Sequence, residues 1–184
     1  MIAIEAPWFR LLWLGLLVAG SAALTAMDTC ITPFSAFAVL AATTLSRRDG
    51  LILTVVLWLA NQAVGFGVLS YPWTADTLGW GVAIGGAALI GTLAAQWTVH
   101  LLDSWRSLGQ TVGAFVSAFA HYQLALFALA VPFLGDAGAF APRIIGQVLV
   151  VNAGALIGLV GLSQLMTAAA ALRRRAQASP ARFA

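Results

Sequence analysis

The chain has 184 residues, of which 61% are hydrophobic and 8% are charged, with a formal net charge of +3. Soluble domains carry roughly 25% charged residues, so this composition excludes a soluble globular protein and indicates an integral membrane protein. The positive charge comes entirely from arginines in short segments between apolar runs. That placement indicates membrane topology and not nucleic-acid binding. The single cysteine, Cys30, excludes an internal disulfide.

Six apolar segments follow one another along the chain, most of them near the roughly 20 residues that cross a bilayer as a helix. They lie at about 8–27, 31–46, 50–70, 77–102, 109–134 and 142–170. Bare backbone groups are costly in lipid, so each segment is predicted to be a helix. The first is too long for the apolar part of a signal peptide, and the second is short enough to sit thinly or at a slant. The sequence thus predicts an all-α protein with one six-helix transmembrane domain, residues 1–172, and a basic cytoplasmic tail, 173–184.

The arginines predict the orientation of these helices. With the N-terminus in the cytoplasm, eight of the nine arginines lie on the cytoplasmic side and Arg143 alone lies outside. Six helices then place both termini in the cytoplasm. The three outer loops carry acidic and aromatic residues, and we expect a site that captures a solute from outside to be built there. The alternative is that loops simply need polar residues, and that Trp and Tyr belong to interfacial belts.

The stretch AMDTCITPFSAF, residues 26–37, places several chemically distinct side chains in the first outer loop. Pro33 is predicted to begin the second helix, where its missing N–H costs nothing. The residues before it would form one wall of an outward-facing site. The candidate binding residues of the outer loops are Asp28, Thr29, Cys30, Trp73 and Asp76.

Polar residues also occur in the middle of predicted helices, where an unpaired amide costs about 2–7 kcal/mol. A polar-lined cavity that opens outward would satisfy them, and interhelical hydrogen bonds would do so equally well for Asn61 and Asn152. For His121 we favour a role facing a ligand. The candidate binding residues inside the helices are Trp58, Asn61, Gln62, His121, Tyr122 and Asn152.

Catalytic and cofactor motifs are absent from the sequence. It contains no paired glutamates at helical spacing, no Ser–His–Asp set at one depth and no phosphate-binding loop. His100 and His121 differ in predicted depth by about 15 Å, which disfavours a haem held by both. We therefore predict a protein that is not an enzyme and has no intrinsic cofactor. Any transport must take its energy from a gradient or a partner.

Over its whole length the chain resembles the S components of energy-coupling factor transporters, the small vitamin-binding subunits of prokaryotic uptake systems. The resemblance rests on size, on six helices and on cytoplasmic termini. It implies a vitamin-like solute bound near the outer face, under the loops that hold Asp28–Cys30, Tyr71–Asp76 and Gly135–Pro142. In that family, Ala-x-x-x-Ala motifs of the first helix dock on a transmembrane coupling subunit. The matching partner-docking residues here are Ala19, Ala23 and Ala26.

The chain is also similar to the solitary cobalamin transporters related to S components, which use a cysteine to engage the cobalt of a corrinoid. This likeness makes a corrinoid the specific solute predicted, with Cys30 as its cobalt ligand, since a soft thiolate suits such a metal. The expected partners are the lipid bilayer, the solute, and either an ATP-driven coupling module or a second copy of the chain, with no nucleic acid. The lysine-free composition is typical of a GC-rich bacterium, so we expect the bacterial inner membrane.

A different class of function remains open from the sequence. Small-residue pairs four apart let helices approach closely, so the chain would also suit a non-catalytic structural or assembly subunit of a larger membrane complex. The polar residues inside the helices would then hold subunits or helices together. Such pairs occur at Gly81 and Gly85, at Gly109 and Gly113, and at Gly154 and Gly158.

Overall fold

The computed structural model describes residues 32–104, 107–135 and 137–178, and within them every regular element is a helix. The helices are α1 (Phe34–Thr44), α2 (Arg47–Ala63, continued by a π-helical turn, Val64–Val68), α3 (Ala75–Leu101), α4 (Ser107–Leu134) and α5 (Pro142–Ala178), with a short 3-10 turn at Gly138–Phe140. The all-α prediction is confirmed for these residues. The four helices after α1 are long and apolar enough to cross a membrane, as expected for an integral membrane protein.

Several predictions concern the part of the chain before residue 32, which lies outside the described residues. This applies to the first predicted helix, 8–27, and therefore to the count of six. It also applies to the docking residues Ala19, Ala23 and Ala26, and to the loop residues Asp28, Thr29 and Cys30. The end of the basic tail, 179–184, lies outside them too.

Helix α1 is the centre of the bundle and not a full membrane span. Its 11 residues extend about 16 Å, roughly half of a 30 Å hydrocarbon core. The run Phe34–Ala41 is buried without a break, and α1 packs against all four long helices. The prediction of a second spanning helix over 31–46 is therefore not confirmed by the described residues. The segment is apolar on every side because it is enclosed by protein, and not because it faces lipid.

The first turn of α1 is capped by a side chain from another helix. Pro33 precedes the helix and provides no side-chain cap. Instead, Oδ1 of Asn152 on α5 accepts hydrogen bonds from the backbone N–H groups of Ser35 at 3.0 Å and Ala36 at 3.3 Å. Its Nδ2 donates to the carbonyl of Val148 at 2.9 Å. Asn152 thus satisfies the Ser35 N–H, which the first turn of a helix leaves free, and shares the Ala36 N–H with the carbonyl of Pro33 at 3.1 Å.

Helices α2 and α3 approach closely because glycines of α3 receive side chains of α2. The indole Nε1 of Trp58 donates to the carbonyl of Gly81 at 2.8 Å. A Cβ at Gly85 would lie 2.7 Å from that nitrogen, and a Cβ at Gly81 would lie 2.7 Å from Oε1 of Gln62. The predicted small-residue pair is therefore a real contact, but it accommodates an indole and an amide and not a second backbone.

Two buried threonines form a second tie between the same helices. The hydroxyls of Thr54 on α2 and Thr92 on α3 lie 2.8 Å apart, and both residues are buried. Each is also within hydrogen-bond distance of a carbonyl one turn earlier in its own helix. Since each hydroxyl carries one hydrogen, one of them donates across the interface and the other donates within its helix.

We expect Thr54→Val and Thr92→Val each to lower the free energy of unfolding by about 0.5–1.5 kcal/mol, because interhelical hydrogen bonds in membrane proteins average about 0.6 kcal/mol. The double variant should lose less than the sum of the two, since both substitutions remove the same bond. Unfolding in detergent measures all three. The control is Thr111→Val, whose hydroxyl bonds only to its own helix at an exposed position. Strict additivity would show that the two hydroxyls do not interact.

Candidate functional site

Four helix ends meet at one end of the bundle and enclose a cavity. These are the end of α2, the start of α3, the end of α4 and the start of α5, joined by segments 69–74 and 135–141. We call this the loop end. The cavity has a volume of about 360 Å³ and is lined from all four helices, from the 3-10 turn and from Thr32. It thus lies at the end of the bundle that the arginine pattern predicts to face outward.

Three carboxamide side chains line the cavity: Asn61 and Gln62 from α2, and Gln123 from α4. Asn61 is engaged, since its Oδ1 accepts a 2.6 Å hydrogen bond from the hydroxyl of Thr32. The other two differ. Gln123 Nε2 is buried and has no hydrogen-bond partner among the described residues. The side-chain amide of Gln62 likewise makes no hydrogen bond within that part of the chain, although it packs against Gly81.

Aromatic side chains supply much of the remaining wall. They are Phe66, Tyr71, Trp80, Tyr122 and Phe140. The Phe34 ring of α1 stacks on Tyr122, with centroids 6.2 Å apart. Flat apolar surfaces beside a few polar groups are typical of pockets for small molecules.

The π-helical turn at the end of α2 positions part of this wall. It lets the N–H of Tyr71 donate to the carbonyl of Gly65 at 3.0 Å, so the chain folds back against α2. A Cβ at Gly65 would lie 2.9 Å from the Tyr71 ring, and only glycine leaves room for that close approach. Ser70, between them, has a positive φ of 55°. Single π turns often occur at functional sites because they displace side chains from the regular helical register.

The described lining residues carry no formal charge, because none is Asp, Glu, Arg, Lys or His. Nor does the described part of the chain bring together three groups that would hold a metal ion. The cavity can therefore exchange neutral hydrogen bonds and apolar contacts with a solute. A charged solute would meet no opposite charge from these residues, and burying an uncompensated charge is costly.

No protein-family model, curated protein or solved structure matches the chain. Its function must therefore be judged from the geometry and chemistry of the cavity.

Three of the predicted site residues are brought together at the cavity: Asn61, Gln62 and Tyr122. Two others have structural positions instead. Trp58 does not line the cavity and donates a hydrogen bond to the carbonyl of Gly81 on α3. Asn152 caps α1. The sequence left interhelical hydrogen bonds open for Asn152 as an alternative to solute binding, and the structure shows those hydrogen bonds. Its carboxamide is occupied by three backbone groups, so it is not available to a solute.

His121 does not face the cavity, contrary to the sequence-based interpretation. The buried face of α4 runs through Ala114 and Ala118, and one turn later it reaches Tyr122. His121 is one residue away from that face, about 100° around the helix. Its side chain is exposed, with Nδ1 2.8 Å from the carbonyl of Ser117. The small residues that pack, and not the polar ones, therefore decide which face of α4 is buried.

The predicted residues of the second outer loop also lie outside the cavity. Trp73 is 75% exposed and packs against Phe66, with ring centroids 4.4 Å apart. Asp76 is exposed in the first turn of α3, where a negative charge interacts favourably with the helix dipole. Their neighbours Tyr71, Thr77 and Trp80 line the cavity instead.

Sequence reasoning missed Gln123 and the residues of the 3-10 turn as wall residues. Gln123 had a signal, because it is a carboxamide in the middle of an apolar helix, beside Tyr122. Ala139 and Phe140 were not named individually, although they lie in the loop 135–142 that the resemblance implies over the solute. They reach the cavity only because the segment between α4 and α5 forms a turn over it, and Phe140 meets Phe127 of α4 edge to face at 5.0 Å.

Proposed function

We propose that the chain is a membrane-embedded solute-binding and uptake protein similar to the S components of energy-coupling factor transporters. In this proposal the chain has six segments in the bacterial inner membrane, of which α1 is the short, enclosed second one. Both termini are in the cytoplasm, and the loop end faces outward. The solute is vitamin-like and binds in the cavity at that end. The observation that supports the proposal is the cavity itself, because it combines aromatic walls with uncommitted amides at the end where a solute would arrive.

The volume of the cavity bears on the size of the solute. At about 360 Å³ it lies at the small end of ligand pockets, which range from about 300 to 1,000 Å³. This favours a compact ring compound over a corrinoid, whose macrocycle and side arms need more room. A role for Cys30 as a cobalt ligand stays a prediction. Energy for uptake would come from a gradient or from an ATP-driven coupling module, since the sequence has no phosphate-binding loop.

A matched pair of substitutions on α5 tests the cavity. Val148 lines it, whereas Val150 is 71% exposed on the same helix. We expect Val148→Trp to fill the cavity and abolish solute retention, and Val150→Trp to retain solute like the unaltered protein. The measurement is native mass spectrometry of protein gently extracted from its own membrane. Both variants should elute as folded protein, since neither position belongs to the buried core.

The result decides between solute binding and the structural alternative. A small molecule retained by the unaltered chain and by Val150→Trp, but not by Val148→Trp, supports solute binding at the cavity. Retention by both variants would place the solute elsewhere. A chain that carries no solute and is bound stoichiometrically to other membrane subunits would support an assembly role.

One observation favours that second candidate, a non-catalytic subunit of a larger complex. A Cβ added at Gly154 or Gly158 would meet nothing within 4 Å. This predicted small-residue pair therefore stays open in the described part of the chain, unlike the pair on α3. A close-packing helix of a partner would fit such a surface.

A further inference from the structure

The cavity presents hydrogen-bonding groups that the ligand-free protein leaves unused. Gln123 Nε2 is buried without a partner among the described residues, and burying such a group without a hydrogen bond is unfavourable. Buried polar groups in proteins are hydrogen-bonded with few exceptions, and the exceptions often have a functional reason. Gln62 provides a second amide without a hydrogen bond on the same cavity, from the helix α2.

The chemistry of these groups restricts what would pair with them. Each glutamine amide offers two donor hydrogens and one acceptor oxygen. A partner that complements an amide therefore carries its own donor and acceptor side by side, as a ring amide, imide or ureide does. Carboxylates only accept and ammonium groups only donate, so neither satisfies both atoms of an amide.

The rest of the lining agrees with an uncharged, flat partner. The described lining residues bring no charge to the cavity, so an ionic solute would lose its hydration without compensation. The rings of Phe66, Trp80 and Tyr122 offer apolar surfaces to a planar ring system.

We infer that the cavity recognises an uncharged planar heterocycle through an amide-type edge, held by Gln62 and Gln123. This rests on the proposed function and deepens it by naming the class of solute. The two glutamines are binding residues in this account, and the aromatic walls hold the faces of the ring. The unpaired Gln123 amide is then a cost of the ligand-free state that the solute removes.

Two substitutions separate this role from a structural one. Gln123→Leu and Gln62→Leu should each weaken binding of a ring amide or imide about ten- to a hundredfold, since one hydrogen bond to a neutral group is worth about 1–3 kcal/mol when its partner is left unpaired. Gln123→Leu should also raise the unfolding midpoint of the ligand-free protein by about 2–4 °C, because it removes the buried unpaired group. A glutamine that merely ties helices together would lower that midpoint when replaced.

The experiment uses the full chain in detergent and three fluorescent tricyclic probes of similar size. Lumichrome is uncharged and carries an imide edge, anthracene-9-carboxylate is an anion, and 9-aminoacridine is a cation. Fluorescence titration and thermal unfolding are followed for the unaltered protein, both leucine variants and the control Gln147→Leu. Gln147 is exposed and does not line the cavity, so its replacement should leave probe binding unchanged.

Selective binding of lumichrome, weakened by Gln62→Leu and Gln123→Leu but not by Gln147→Leu, supports the inference. It is overturned if an ionic probe binds as tightly, if the two leucine variants bind lumichrome normally, or if lumichrome fails to bind. Native mass spectrometry then distinguishes failure of this inference from failure of the proposed function. A retained solute that is ionic and lost in Val148→Trp would leave the proposed function standing without this inference, whereas no retained solute and no probe binding would remove both.

Discussion

Replacing Asn152 with alanine is expected to destabilise the protein by about 1–3 kcal/mol. The substitution removes the only side-chain oxygen that accepts from Ser35 N and Ala36 N in the described part of the chain. Ala36 N keeps its 3.1 Å hydrogen bond to the carbonyl of Pro33, so Ser35 N is the donor left without a partner. A buried donor in that state costs about 1–3 kcal/mol. Asn152 is itself 2% exposed, so water has little access to replace it. Equilibrium unfolding in detergent measures the effect.

The matched control is Val150→Ala, two residues away on α5 at a position that is 71% exposed. It should change stability by less than about 0.5 kcal/mol, as surface substitutions usually do. Asn152→Asp keeps an acceptor oxygen for the two N–H groups and should restore part of the stability lost in Asn152→Ala. If Asn152→Ala proved as stable as the Val150→Ala control, the start of α1 would not depend on this contact.

Adding one methyl group at Gly85 is expected to destabilise the protein by up to about 2 kcal/mol. The new Cβ would lie 2.7 Å from Nε1 and 2.8 Å from Cε2 of Trp58, so the indole must move and strain its bond to Gly81 O. Overpacking of this kind costs about 1–3 kcal/mol. The gain in helix propensity from glycine to alanine, about 1 kcal/mol, offsets only part of it.

The neighbouring Gly86 provides the control. A Cβ there would meet Leu129 Cδ1 at 3.4 Å, an ordinary contact, so Gly86→Ala should be neutral or stabilising by up to about 1 kcal/mol. A smaller residue at the partner position tests the mechanism. In a Trp58→Leu background, the cost of Gly85→Ala should fall, because the two substitutions act on one contact. Equal costs in both backgrounds would show that the indole is not what Gly85 accommodates.

Much of the helical architecture could be predicted from the sequence. Residues 50–70, 77–102 and 109–134 were predicted as helices, and the structure gives Arg47–Val68, Ala75–Leu101 and Ser107–Leu134. These limits agree because long apolar runs bounded by charged or turn-forming residues have few alternatives in lipid. Helix α5 corresponds to the sixth predicted segment, 142–170. It begins at Pro142 as predicted and continues to Ala178, beyond the predicted end.

The candidate site was predicted only in part. Asn61 and Gln62 could be predicted as site residues because they are carboxamides in the middle of the apolar helix α2. A polar group in such a helix needs a partner or a cavity. The sequence could not distinguish this use from the one Asn152 has, since a bound solute and a helix start satisfy an amide equally well. Nor could it place His121, because the register of α4 against α1 and α3 depends on which small residues pack.

The sequence by itself determined that the protein is helical and is built for a membrane. It also places eight of its nine arginines on the side of the membrane predicted to be cytoplasmic. The tertiary structure alone decided that α1 is a short buried core, that Asn152 caps it, and that Gln62, Gln123 and the 3-10 turn share a cavity. The physical reason is that lipid and a protein core are equally apolar. Hydrophobicity therefore indicates which residues avoid water, whereas close packing at glycines and alanines and the pairing of buried polar groups decide which of them face one another.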